Sequence, residues 1–192
     1  RDSRLGIFTK KPGDVNYYGD DGTPSRALCS TMVSEIGVDT ADVIVELGPG
    51  TGVITREIVR CMSPNAKLIA IELDQTLCEH LRKAFPEVTV CNDSAAGIGE
   101  ILARHSLPNP DAVISGLPWA NFSSRLQRNI LDAVAEHIAP GGYFTTFAYL
   151  QGLMFPNGQR FRRLLGEVFR EVEISPVVWK NIPPAFVYRC RK

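Results

Sequence analysis

The sequence predicts a doubly wound α/β domain, and three observations carry that expectation. From Asp42 onward, short β-branched runs alternate with longer helical patterns, the order that builds a sheet with right-handed crossovers and helices on both faces. The strand candidates are continuous in apolar residues, as parallel strands covered on both sides are. With 192 residues, 44% of them hydrophobic, the chain can bury one sizeable core, which excludes wholesale disorder and fits a single domain.

Taken in order, Val43 to Leu47 is the first strand, and Thr51 to Met62 a helix ended near Ser63-Pro64. Lys67 to Ile71 is the second strand; Asp74 to Phe85 is a helix closed before Pro86. Val88 to Cys91 is the third strand, followed by a weaker helix from Ile98 to His105. Ala112 to Ile114 is the fourth strand, and Ser124 to Ile138 a long amphipathic helix stopped by Pro140-Gly141-Gly142. Tyr143 to Tyr149 is the fifth strand, with a short basic helix from Gln159 to Leu165 behind it. Arg170 to Ile174 and Ala185 to Cys190 have no helical segment between them, so they are expected to pair antiparallel at one side of a seven-stranded sheet. Ahead of the sheet, Thr23-Pro24 reads as an N-cap and first helical position for a helix to about Ile36. Residues 1–22, rich in Gly, Asp and Lys, read as a loop or loosely held lid, and residues 23–192 as one domain.

Charge narrows the partners. Residues 1–96 carry 10 Lys/Arg against 14 Asp/Glu, and residues 97–192 carry 11 against 7. An overall basic nucleic-acid binder is disfavoured, although the second half can present a basic face. Five cysteines without a C-x-x-C pair suit reduced thiols better than a disulfide framework or zinc site. No apolar run is long enough to span a bilayer, and the N-terminus does not read as a secretory signal. The expected compartment is therefore the cytoplasm. His80, His105 and His137 lie far apart and read as surface histidines, so no metal is expected.

The most specific segment is Glu46-Leu47-Gly48-Pro49-Gly50-Thr51-Gly52 after the first strand. Its glycines allow a tight turn and a close approach of backbone to ligand. The dinucleotide fingerprint would need glycine where Val53 stands, and a P-loop would need Gly-Lys-Ser/Thr, so the loop suits a nucleoside lacking pyrophosphate. Glu46 can pair with a cationic group. Glu72 stands 20 positions after Gly52, at the end of the second strand, where a carboxylate can accept from both ribose hydroxyls. Asp93, in Asn92-Asp93-Ser94 after the third strand, can accept from an adenine amino group. All three acidic sites fall at carboxyl ends of neighbouring strands, where open α/β sheets bind ligands.

On these residues the chain, from about residue 24 to its end, resembles the class I S-adenosylmethionine-dependent methyltransferases, with their Rossmann-like seven-stranded sheet. The resemblance implies S-adenosylmethionine as cofactor and S-adenosylhomocysteine as product. Glu46, Gly48, Pro49, Gly50, Thr51, Gly52, Glu72, Leu73, Asp93, Ser94 and Ser115 are then expected to border the cofactor.

The acceptor is read from Ser115-Gly116-Leu117-Pro118-Trp119, which ends the fourth strand. Ribosomal RNA adenine dimethylases have Asn-Leu-Pro-Tyr here; this chain has Gly116 in place of the Asn, which serves flipped-base chemistry poorly. The Ser-Gly-Leu-Pro form instead resembles the soluble bacterial phospholipid N-methyltransferases, as do Pro24-Ser25-Arg26-Ala27-Leu28 and Asn181-Ile182-Pro183-Pro184-Ala185-Phe186-Val187-Tyr188-Arg189. That likeness implies stepwise methylation of phosphatidylethanolamine towards phosphatidylcholine. Ser115, Gly116, Tyr18 and Trp119 are the expected catalytic residues. Tyr17, Tyr18, Pro118, Trp119, Tyr149 and Arg189 are the expected substrate contacts, the aromatics through cation–π attraction to the methylated amine and Arg189 through lipid phosphate. Arg160, Arg162 and Arg163 beside the apolar run Leu153-Met154-Phe155 suit peripheral contact with an anionic inner-membrane surface. A small-molecule N- or O-methyltransferase, an RNA adenine N6-methyltransferase and a non-catalytic cofactor-binding subunit are the alternatives.

Overall fold

The apolar runs assemble as the core of a two-faced sheet, and the helices between them cover it. The computed structural model describes residues 23–192. Its strands are β1 (Val43–Leu47), β2 (Lys67–Glu72), β3 (Thr89–Asn92), β4 (Ala112–Ser115), β5 (Tyr143–Tyr149), β6 (Glu171–Ile174) and β7 (Ala185–Arg191). They lie in the order β3-β2-β1-β4-β5-β7-β6. Only β7 runs against the others, pairing antiparallel with both β5 and β6.

The helices are α1 (Arg26–Val33), α2 (Val53–Cys61), α3 (Gln75–Ala84), α4 (Ile98–Arg104), α5 (Ser124–His137) and α6 (Pro156–Val168). Alternation along each strand divides the apolar side chains between two cores. Ile44, Ala112, Ile114 and Val187 pack with α1, α2 and α3. Val45, Leu47, Val113, Phe144, Phe186 and Tyr188 pack with α4, α5 and α6. Every residue of β1 is buried, which explains its unbroken apolar pattern.

Three boundaries differ from expectation. Ser25, rather than Thr23, caps α1: its hydroxyl accepts from the Leu28 N–H, and its own N–H donates to Asn181 Oδ1 at 2.8 Å. The helix ends at Val33 because Glu35 and Gly37 adopt left-handed φ values of +63° and +71°. Ile36 and Val38 nonetheless turn into the core, prolonging the apolar pattern past the helix. Finally, α6 begins at Pro156, three residues earlier than predicted, and a 3₁₀ turn at Leu150–Met154 precedes it. Proline in the first turn costs no hydrogen bond, and Gly158 within the helix masks its start.

The strand order reverses between β1 and β4, and the register aligns Leu47 with Ser115. The segments after these two strands therefore emerge side by side at the carboxyl edge, where ligands bind in such sheets.

Candidate functional site

The glycine segment leaves β1 as a tight turn. The Gly48 N–H donates to the Ile71 carbonyl at 2.9 Å, and the Gly52 N–H donates to the Pro49 carbonyl at 3.0 Å. Gly48, Gly50 and Gly52 all have positive φ, but their surroundings differ. A Cβ on Gly48 would strike Leu117, and one on Gly52 would strike Phe85, so these two serve close packing. Gly50, at φ +57°, has nothing within 4 Å of where a Cβ would stand. It is the glycine over which a ligand can lie against bare backbone.

Glu72 closes this turn from β2. One carboxylate oxygen accepts from the Gly50 N–H at 3.1 Å and the other from the Asp74 N–H at 3.0 Å. A carboxylate has about four lone-pair sites, so it can accept further donors, such as a pair of vicinal hydroxyls. Leu73 beside it is 53% exposed, giving an apolar surface on which a flat ring can rest. Asn92 supports the segment by donating to the Glu72 and Leu73 carbonyls. Asp93 accepts from the Ser94 N–H at 2.8 Å and lies 3.4 Å from Arg104, while Ser94 caps the short turn that follows. Pro49 is buried in the turn and Thr51 exposed on it.

Glu46 is enclosed completely. One oxygen accepts from the Thr55 hydroxyl at 2.7 Å; the other, Oε1, is buried without a hydrogen-bond partner. Burial pushes its carboxyl up to about 8, with the Thr55 hydroxyl opposing the shift and the charge of Glu72 adding to it. An orphaned, buried carboxyl oxygen is costly, and a cationic donor would satisfy it.

After β4, the acceptor segment is locked from behind. Ser115 is buried; its hydroxyl accepts from Trp119 Nε1 at 3.1 Å and the Leu117 N–H at 3.3 Å, and its carbonyl accepts from the Thr146 hydroxyl. Gln127 on α5 donates to the Trp119 carbonyl. The Trp119 ring stacks on Phe161 at 4.9 Å and meets Phe122 and Phe144 edge-on. Through these contacts the Ser115 hydroxyl holds the segment's shape, and the Trp119 ring, expected to face the methylated amine, packs largely into the core. Gly116 packs so closely that a Cβ would stand 2.8 Å from the Gly48 carbonyl oxygen.

Beside this segment lies an apolar cavity of about 450 Å³. Pro118, Trp119 and Tyr149 line it, together with Leu117, Phe147, Phe155, Phe161 and Tyr188. Tyr188 was not foreseen here; Arg189 was, and it points elsewhere. Successive strand residues face opposite sides, so Arg189 is buried against α1, where it donates to the Thr31 carbonyl and Ser34 hydroxyl and pairs with Glu35 at 2.8 Å. Tyr17 and Tyr18 lie outside the described residues.

Comparison with known proteins adds an independent line. The sequence profile of the ribosomal RNA adenine dimethylases matches residues 18–138. An ornithine lipid N-methyltransferase of Singulisphaera acidiphila is 33% identical over 168 residues, covering 85% of this chain and 83% of that protein. A ribosomal RNA small subunit methyltransferase of Arabidopsis thaliana is 29% identical over 122 residues, but the chain spans only 33% of its length. Among solved structures, N-methyltransferase NodS of Bradyrhizobium japonicum superposes with a TM-score of 0.66 at 12% identity, covering 87% of this chain and 92% of that one. Fibrillarin of Aeropyrum pernix, solved with natively bound S-adenosylmethionine, superposes with a TM-score of 0.65 at 15% identity, covering 85% and 72%.

Proposed function

The chain belongs to the ribosomal RNA adenine dimethylase family as a class I S-adenosylmethionine-dependent methyltransferase, and from that premise we propose that it methylates the primary amine of a membrane-lipid headgroup rather than a base of RNA. S-adenosylmethionine, the cofactor, supplies an electrophilic methyl group on its sulfonium. The described residues fit it. Orphaned Glu46 Oε1 suits its ammonium, Glu72 its ribose hydroxyls, Asp93 and Leu73 its adenine, and the open backbone over Gly50 its methionine chain. In this reading Glu46 ionises when the ammonium arrives, so binding releases a proton. Affinity for S-adenosylhomocysteine is therefore expected to rise up to about tenfold per pH unit from pH 6 towards 8. Calorimetry in buffers of different ionisation enthalpy checks this, and Glu46→Gln should abolish the proton release.

The observation that carries the acceptor reading is the cavity beside Gly116. Its walls are chiefly aliphatic and aromatic, suited to the apolar root of a lipid headgroup. Gly116 leaves no side-chain amide to grip a base. The Gly116 carbonyl is assigned to accept from the amine N–H, aiming the nitrogen lone pair along the transfer line. Tyr149 and Phe147 are assigned to face the growing cation. Positioning and exclusion of water supply the catalysis, and the lock formed by Ser115, Trp119 and Gln127 holds the segment still while it occurs.

The test is methyl transfer from labelled S-adenosylmethionine to vesicles containing phosphatidylethanolamine, to vesicles containing ornithine lipid, and to 16S ribosomal RNA. Similarity to the ornithine lipid enzyme makes that lipid the companion substrate to phosphatidylethanolamine. Mono- and dimethylated lipid is the expected product. Label in adenine, or none in either lipid, would overturn the assignment.

A further inference from the structure

Exposed apolar side chains are not scattered over this molecule. Seven large ones stand exposed among the described residues, and all occur at the carboxyl edge of the sheet. Leu73 directly follows β2, Leu126 lies in the first turn of α5 after β4, and Ile174 ends β6. Four of the seven form two tips. Met154 (81% exposed) and Phe155 (53%) stand between β5 and α6; Trp179 (70%) and Ile182 (75%) stand between β6 and β7. The two connections are joined at their base, where the Leu150 N–H donates to the Pro184 carbonyl at 2.9 Å.

Charge is arranged to match. Residues 150–163 and 174–185 contain Arg160, Arg162, Arg163 and Lys180 and no Asp or Glu. None of these four cations forms an ion pair within the described residues. Arg162 and Arg163 wall a depression that shares Leu153 with the apolar cavity. Apolar tips flanked by unpaired cations, on the edge that carries the site, complement a surface with an apolar interior and anionic headgroups.

We propose that the paired tips, Met154-Phe155 and Trp179–Ile182, insert into an anionic phospholipid bilayer, seating the mouth of the acceptor cavity at the headgroup level. This docking mode rests on the lipid reading above and gives it a geometry: the headgroup is reached in place, without extraction of the lipid into water.

The two tryptophans make the test direct. Trp119 lines the acceptor cavity but is buried, and Trp179 is exposed, so the part of an emission change on adding vesicles that Trp179→Phe removes reports Trp179. Vesicles of phosphatidylglycerol and phosphatidylcholine should shift the emission to the blue and shield it from acrylamide; phosphatidylcholine alone should do so far less, and Trp179→Phe should remove the signal. The double variant Trp179→Ala/Ile182→Ala should bind anionic vesicles roughly tenfold more weakly while retaining its affinity for S-adenosylhomocysteine, which shows that it is folded. Trp179 that stays accessible to acrylamide in vesicle-bound protein would overturn the proposal, as would undiminished binding by the double variant. Insertion of Trp179 without any methylated lipid would uphold the docking surface and refute the acceptor. Lipid methylated in detergent micelles by a protein whose Trp179 never enters a bilayer would do the reverse.

Discussion

Replacing Gly116 with asparagine is expected to lower kcat/KM for methyl transfer by about a hundredfold or more, the effect that a misplacement of about 1 Å between reacting groups can have. The variant restores the residue type found in the RNA dimethylases, yet it should not acquire their activity. A Cβ at this position stands 2.8 Å from the Gly48 carbonyl oxygen, and Ile54 closes the other side at 3.2 Å. The carbonyl is backbone and cannot swing aside, so the turn after β1 and the segment after β4 must separate. Both cofactor affinity, by calorimetry, and turnover, with labelled donor, should fall. Gly116→Ala should show much of the same loss, because the obstacle begins at Cβ. An asparagine variant that methylated RNA would show that the two turns can move apart without harm.

Glu72→Ala is expected to weaken binding of S-adenosylhomocysteine by about a hundredfold. Hydrogen bonds to a charged group contribute about 1.5–3 kcal/mol each, and this carboxylate is assigned two from the ribose. It also pins the Gly50 N–H on one side and the Asp74 N–H on the other, so the alanine variant loosens the glycine turn as well as losing the ribose contact. Glu72→Gln keeps one acceptor oxygen and should recover part of the affinity. Affinity within threefold of the parent in the alanine variant would remove Glu72 from the cofactor site.

Glu46 acts differently, because its effect on the fold opposes its effect on the ligand. Its carboxyl is raised from an ordinary 4.5 to about 8. Between those values the unfolded chain has lost the proton that the folded chain retains, so the residue's contribution to stability falls as pH rises through that window. Glu46→Gln is therefore expected to melt higher than the parent near pH 8 while binding the cofactor less well. Scanning calorimetry at pH 5 and pH 8 without cofactor checks the sign.

The first four strands and the glycine turn were legible in the sequence because each rests on a local cause. β1 is apolar at nearly every position since both its faces are covered, and the turn needs glycines for reasons that lie within a few residues of it. Features that depend on which way a side chain points across the molecule were harder to read. Ala185, Val187 and Arg189 of β7 face α1, whereas Phe186, Tyr188 and Cys190 face α5 and α6. Strict alternation from the buried Phe186 would have turned Arg189 away from the cavity and Tyr188 towards it. The packing of the Trp119 ring is hard to read for a related reason. Its partners, Phe144 and Phe161, come from β5 and α6, and Phe161 lies hidden within a run of arginines. The cavity itself is built by segments following β4 and β5 with α6, so no single stretch announces it.

The antiparallel course of β7 has a practical consequence for handling the protein. β7 starts beside Tyr149 at the carboxyl edge and runs back, so that Lys192 ends against the Gly142, Glu136 and Ile138 carbonyls at the far side of the sheet. Ser25, by contrast, is held to Asn181 within the same connection that displays Trp179. The two ends of the described chain thus leave from opposite poles. A tether or fluorophore attached at Lys192 would hold the molecule on a sensor chip with its working edge outward, whereas an attachment at Ser25 would sit beside that edge and shade it.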